Sequence, residues 1–165
     1  MHKLIPVEKA TALMQEAKDW PVWRWLLSKS RVRVAADRAV DALVEAEKKV
    51  KASWGDDLTK AYREIEAQQA FERNPRSKQR YEKAKIEAKD VPPEIKQAVR
   101  KVKEADEEAE NARLDAEDTF AEAERWLSTN MAREGAEKAI HSWELRMKAI
   151  RKAEALARKS QELGV

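Results

Sequence analysis

The chain has 165 residues, 39% of them Asp, Glu, Lys or Arg, yet its net charge is only +3. Ala accounts for 28 of its apolar residues, Leu, Ile, Val and Phe together for 30, and six Trp supply the largest buriable surfaces. Near-balanced charge and the Trp argue against disorder, and three Gly argue against Gly-rich nucleotide folds and turn-dense sandwiches or barrels. The richness in Ala, Glu, Lys and Arg predicts an all-α protein: an antiparallel bundle of long, coiled-coil-like helices with short turns, plus a short Trp-rich N-terminal helical segment.

Without Cys there is no disulfide framework, thiolate nucleophile or Cys-based zinc site, which suits a reducing cytoplasm. Residues 1–19 alternate charged and apolar side chains, unlike a signal peptide. No stretch approaches the roughly 18 uncharged residues of a membrane-spanning helix. The expectation is one domain over 1–165, with 1–29 as the Trp-rich segment and 30–160 as the long helices. It is expected in the cytoplasm, free or peripheral to a membrane.

Pro6 suits the first turn of a short helix running to about Lys18. Trp20-Pro21 breaks it, because the residue before Pro is pushed out of α geometry. A short apolar segment, Val22 to Leu27, follows. Ser28 or Ser30 is then expected to cap a long helix to about Trp54, with Val32, Ala36, Val40, Leu43, Val50 and Trp54 at 3–4 spacing. Gly55 is the expected stop and Asp56 or Asp57 the next cap.

A third helix carries Leu58, Tyr62, Ile65 and Phe71 and is kinked or ended at Asn74-Pro75, with helix resuming through Tyr81 and Ile86. Asp90-Val91-Pro92-Pro93 is the clearest boundary. From Ile95 through Val99, Val102, Ala105, Ala109, Ala112, Ala116, Phe120 and Ala123 to Leu127 the 3–4 spacing holds, and its small Ala residues allow close helix approach. The later stripe (Ala136, Ile140, Trp143, Met147, Ile150, Ala157) does not continue that register. A turn is therefore expected at Ser128-Thr129-Asn130. The alternative is one helix from Asp90 to Ser160, roughly 100 Å long at 1.5 Å per residue.

Charge is segregated. Residues 73–103 carry 11 basic and 4 acidic side chains, residues 104–124 carry 1 and 10, and residues 125–165 carry 9 and 5. Reversal at Val91 would set Glu104, Glu107, Glu108 and Glu110 near Arg73, Arg76 and Lys78. Reversal at Thr129 would set the same block beside Arg146, Lys148, Arg151 and Lys152. Such pairing within an antiparallel bundle is preferred here over an external polyanion. Each exposed pair is worth only about 0–1 kcal/mol, so pairing specifies arrangement more than stability.

One basic stretch has no evident partner: Arg24, Lys29, Arg31 and Arg33, interleaved with Trp20, Trp23 and Trp25. On a continuous helical wheel Trp20, Val22, Trp23, Leu26 and Leu27 share one half, with Trp25 just beyond and Arg24 and Ser28 opposite. Two readings follow. The preferred one has Trp23 and Trp25 plugging an Ala-rich core that needs bulk. The other makes the segment an interfacial anchor for a partner or an anionic membrane.

For chemistry the sequence offers little. His2 is terminal. Glu134, Glu137, His141 and Glu144 share a flank of the last helix, and Glu117 or Glu124 could add a carboxylate across the turn. Ferritin-like metal sites, however, use Glu-x-x-His from two helices, so a solvated flank is the expected outcome. The acidic block lacks the Gly and Asx spacing of a calcium loop. No nucleophile elbow, P-loop, HExxH or helix-turn-helix pattern is present. The expectation is a non-catalytic interaction or scaffold protein without a cofactor. Its expected partner is a protein or a second copy, an anionic membrane surface is the alternative, a carboxylate/His metal protein comes third, and nucleic acid is not expected.

Overall fold

The computed structural model describes residues 4–162, so His2 lies outside the described residues. These residues form six α-helices and one 3₁₀ turn and no strand: α1 (Ile5–Ala17), α2 (Val22–Ala52), α3 (Asp56–Arg73), a 3₁₀ turn (Pro75–Ser77), α4 (Lys78–Glu87), α5 (Pro93–Trp126) and α6 (Thr129–Glu162). The protein is an all-α bundle in which α5 packs on α6 and α2 on α6. No described helix is long and apolar enough to cross a membrane.

Proline and polar caps set most of the boundaries. Pro6 lies in the first turn of α1, and α2 starts immediately after Pro21. The expected break at Ser28 or Ser30 does not occur. Both serines lie inside α2, a single helix of 31 residues. Between Val22 and Ala52 there is no Gly or Pro, and a mid-helix Ser costs only about 0.5 kcal/mol relative to Ala. Trp25 and Val32, buried on one side of the helix, outweigh that cost. Gly55 acts as the extended N-cap of α3 (φ −72°, ψ 175°), not as a left-handed stop.

The turn after Trp126 is present. Leu127 takes a left-handed φ of 51°, and the Ser128 N–H donates to the Ala123 carbonyl at 3.0 Å. That bond closes α5 in the Schellman pattern, here without glycine. The Ser128 hydroxyl then accepts from the Met131 N–H at 3.2 Å and caps α6.

The chain divides into two compact units: Met1–Ala46 with Asp106–Lys148, and Glu47–Ala105 with Ala149–Val165. In the first, Val7, Leu13, Met14, Trp20, Trp25, Val32, Leu43, Ile140 and Trp143 are buried among Ala from α5 and α6. Ion pairs across the α5–α6 hairpin join Arg146 to Glu110 (3.2 Å) and Lys138 to Asp115 (3.2 Å), the register that reversal near Thr129 predicts. Arg146 also reaches Asp106 at 3.9 Å. Close approach is enforced at Gly135, where a Cβ would sit 2.9 Å from the Phe120 ring.

In the second unit Leu58, Ile65, Val91, Val99, Val102 and Leu156 surround Trp54, whose indole N–H donates to the Ala153 carbonyl at 3.1 Å. Lys51 and Lys103 both lie over the Tyr62 ring, 4.3 and 5.1 Å from its centre. The first reversal differs from the sequence expectation. Asn74 is extended, its side chain accepts from the Arg76 N–H at 3.1 Å, and Phe71 stacks on Tyr81 at 5.6 Å. So α4 folds back on α3, and α3 lies beside α5, with Glu64 on Lys96 at 3.2 Å. Lys78, expected opposite the acidic block, pairs with Glu82 on its own helix at 3.9 Å.

Candidate functional site

The Trp-rich segment belongs wholly to the first unit, and it splits. Trp20 and Trp25 are buried, Trp25 being 7% exposed. Their rings meet edge-on at 5.8 Å, and Trp25 continues onto Phe120 at 5.4 Å. Arg24 covers the Trp20 ring at 4.5 Å and donates to Glu16 at 3.3 Å. These three residues therefore form one structural cluster at the start of α2. Neither buried indole N–H has a hydrogen-bond acceptor, a cost of roughly 1–3 kcal/mol each that the packing must exceed.

Trp23 does not join them. It is 60% exposed, so the expectation that Trp23 and Trp25 both plug the core is correct only for Trp25. The reason is geometric: two residues apart on a helix is about 200°, which puts one of the pair outside whenever the other is inside. The wheel that grouped Trp20 with Trp23 fails because Pro21 breaks the helix between them. The buried side of α2 is centred on Trp25, Val32, Ala39 and Leu43. The opposite side carries Trp23, Leu27 (80% exposed) and Val34, with Leu26 at its margin. Lys29, Arg31 and Arg33 are exposed along the same stretch.

Trp25 meets Phe120, while Val40 and Leu43 border a small cavity with Ala109 and Arg113. Hence α2 runs antiparallel to α5 within this unit, and the first turns of α2 lie at the same end as the α5–α6 turn. Two further exposed apolar residues occupy that turn, Trp126 and Leu127. The 3–4 spacing placed Leu127 at the end of the apolar stripe of α5, but the left-handed turn there leaves it 59% exposed. Trp126 carried no expectation, although a Trp-Leu pair before a helix cap is a readable signal. Arg125 lies over the Trp126 ring at 5.1 Å.

A groove of about 410 Å³ separates α2 from α5, floored by Trp25, Val32, Ala116, Phe120 and Trp143. Its origin is the composition: Ala on α5 and α6 does not fill the space that two helices leave between them. Charges of both signs line its mouth, Lys29, Arg33 and Asp37 from α2 and Glu117 and Glu124 from α5.

The flank proposed for metal is dispersed. Glu134 pairs with Lys138 at 3.2 Å and Glu137 with Lys18 at 3.7 Å, while His141 and Glu144 are exposed. Among the described residues no three His, Asp or Glu come together in a way that would hold a metal ion. Charged groups here act on one another. A hydrogen bond from Arg113 holds the Glu110 carboxyl below its ordinary pKa, aided by the charges of Arg113 and Arg146. The same bond raises Arg113, and hydrogen bonds to Glu134 and Asp115 raise Lys138.

The chain matches no protein-family model, no curated protein and no solved structure.

Proposed function

We propose that the protein is a non-catalytic interaction or scaffold protein, and that its contact surface is the outer side of the first three turns of α2. One observation carries this reading. The helix is apolar on two opposite sides, the inner one buried around Trp25 and Val32, the outer one leaving Trp23 and Leu27 in solvent. Scattered exposed apolar residues are ordinary on a protein surface. A Trp, two Leu and a Val along one side of one helix form a patch, and patches of this kind mark contact sites. The Cys-free composition suits a cytoplasmic location.

The test is oxidative footprinting of the whole protein. Trp23 and Leu27 should label readily in the purified, dilute protein and at least severalfold more slowly in a crude extract that retains its membranes. Trp25 should be protected in both. Equal labelling of Trp23 in the two preparations refutes the contact surface. Protection that rises with concentration of the pure protein alone identifies a second copy as the occupant.

A further inference from the structure

We infer that the occupant of this outer side of α2 is an anionic membrane surface, an inference that rests on the contact surface proposed above. At about 100° per residue, Trp23, Leu27, Ser30 and Val34 fall within roughly 60° of one another. They span eleven residue steps, about 16 Å of helix. Arg31 and Arg33 lie roughly 70–90° to either side of that line, where long side chains carry their charge back to the headgroup level while their stems cover apolar surface. Between Asp19 and Asp37 there is no acidic residue, and Lys29, Arg31 and Arg33 give the segment three positive charges beside Arg24, which is paired with Glu16. The apolar line ends where the acids begin, since Asp37 and Asp41 continue the outer side after Val34.

Apolar side down, cations at both margins and an exposed Trp near one end describe a helix lying in a membrane interface. A protein groove would be matched by a concave apolar slot, yet such a slot would leave the cations on both margins to find separate acidic partners. A continuous anionic surface meets both at once. At the same end of the unit Trp126 is a second exposed indole, with Arg125 over its ring and its N–H donating to Glu122 at 2.6 Å.

The experiment mixes the full-length protein with vesicles of equimolar phosphatidylserine and phosphatidylcholine, and with vesicles of phosphatidylcholine alone. Co-sedimentation and Trp emission are both read. Binding to the anionic vesicles should be at least about tenfold tighter, and it should weaken at least about tenfold between 0.1 and 1 M salt as the Debye length falls from about 10 to 3 Å. Replacing Arg31 and Arg33 together by Gln should weaken it about 25-fold, roughly fivefold per cation. Leu27→Glu should abolish it. Trp23→Phe should still co-sediment but lose most of the blue shift, which assigns the shift to Trp23.

Equal binding to both vesicle types, no binding to either, or binding untouched by Leu27→Glu overturns the membrane inference. If the protein instead self-associates, or binds an acidic protein, through a side that Leu27→Glu destroys, the membrane inference fails and the contact surface stands. If Leu27→Glu lowers the melting temperature markedly, the side is structural and both readings fail.

Discussion

Truncating Trp25 and truncating Trp23 should have very different costs, although the residues are two apart. Trp25 is 7% exposed and wedged between Trp20 and Phe120. Deleting a buried aromatic costs about 3–5 kcal/mol. Part of that is returned, because Trp25→Ala also removes a buried N–H that has no acceptor, a group worth roughly 1–3 kcal/mol when unmade. The net expectation for Trp25→Ala is therefore a loss of about 2 kcal/mol, within a span of about 0–4, or roughly 4–8 °C in melting temperature for a chain of this size. Trp23 is 60% exposed. Its truncation forfeits little buried area and gains about 0.5 kcal/mol of helix propensity, so Trp23→Ala should fall within about 0.5 kcal/mol of wild type. Urea unfolding followed by far-UV circular dichroism measures both. A loss above about 2 kcal/mol for Trp23→Ala, or equal losses for the pair, would refute the two-sided reading of α2 and the contact surface built on it.

Four further substitutions test the rest of the structure. Leu127→Gly should raise stability by about 0.5–1 kcal/mol, since relief of left-handed backbone (φ 51°) worth roughly 1–2 kcal/mol exceeds the entropy that Gly adds to the unfolded chain; a loss in thermal melting would contradict the turn. Ala116→Leu should fill part of the α2–α5 groove and stabilise by about 1–2 kcal/mol at roughly 0.8 kcal/mol per CH₂, whereas a clear destabilisation would mean the space is closed. Glu110→Gln should cost no more than about 0.5 kcal/mol at pH 7, the pair being largely solvated. Because the folded carboxyl has the lower pKa, its contribution is present above about pH 4.5, the unfolded value, and lost as pH falls through the folded one; a wild-type advantage that persists at pH 2 argues against the assignment. His141→Ala should leave calorimetric titrations with zinc, manganese or iron(II) unchanged, and a submicromolar site lost in this variant would revive the metal reading of the α6 flank.

Most helix boundaries were readable because single residues dictate them. Pro21, Asn74-Pro75 and Pro92-Pro93 each make the chain leave α geometry whatever surrounds them. The α5–α6 turn was readable from a change of register at Leu127, even though no glycine marks it, because the Ala stripe of α5 and the Trp143 stripe of α6 cannot lie on one straight helix. Ser28 misled because cap residues are permitted inside helices; only burial of Trp25 and Val32 on one side decides that the helix runs through. The register of the first reversal was also out of reach. It depends on the 3₁₀ turn after Asn74, which sends α4 back along α3 and brings Glu64, not the acidic block of α5, to a basic partner.

The candidate site was legible as a segment and illegible as a surface, and the cause lies in its own pattern. A helix with one apolar stripe has one way to be buried. The start of α2 has two, because Trp25 and Val32 on one side and Trp23, Leu27 and Val34 on the other are comparable in bulk. What breaks the tie is remote in sequence. Phe120 is held against α6 by the space that Gly135 leaves open, and it presents a ring that Trp25 meets at 5.4 Å. Arg24 then closes over Trp20 and is anchored by Glu16 of α1. With those contacts made, rotating α2 to bury Trp23 would break an aromatic chain of three rings and expose Trp25, so the outer side stays out. A Gly135→Ala variant bears on this directly. It drives a methyl into the Phe120 ring, and if Phe120 fixes the rotation of α2, the exposure of Trp23 should fall and that of Trp25 should rise, read by acrylamide quenching in Trp23→Phe and Trp25→Phe backgrounds. Unchanged quenching in both would show that the rotation is set by something other than Phe120.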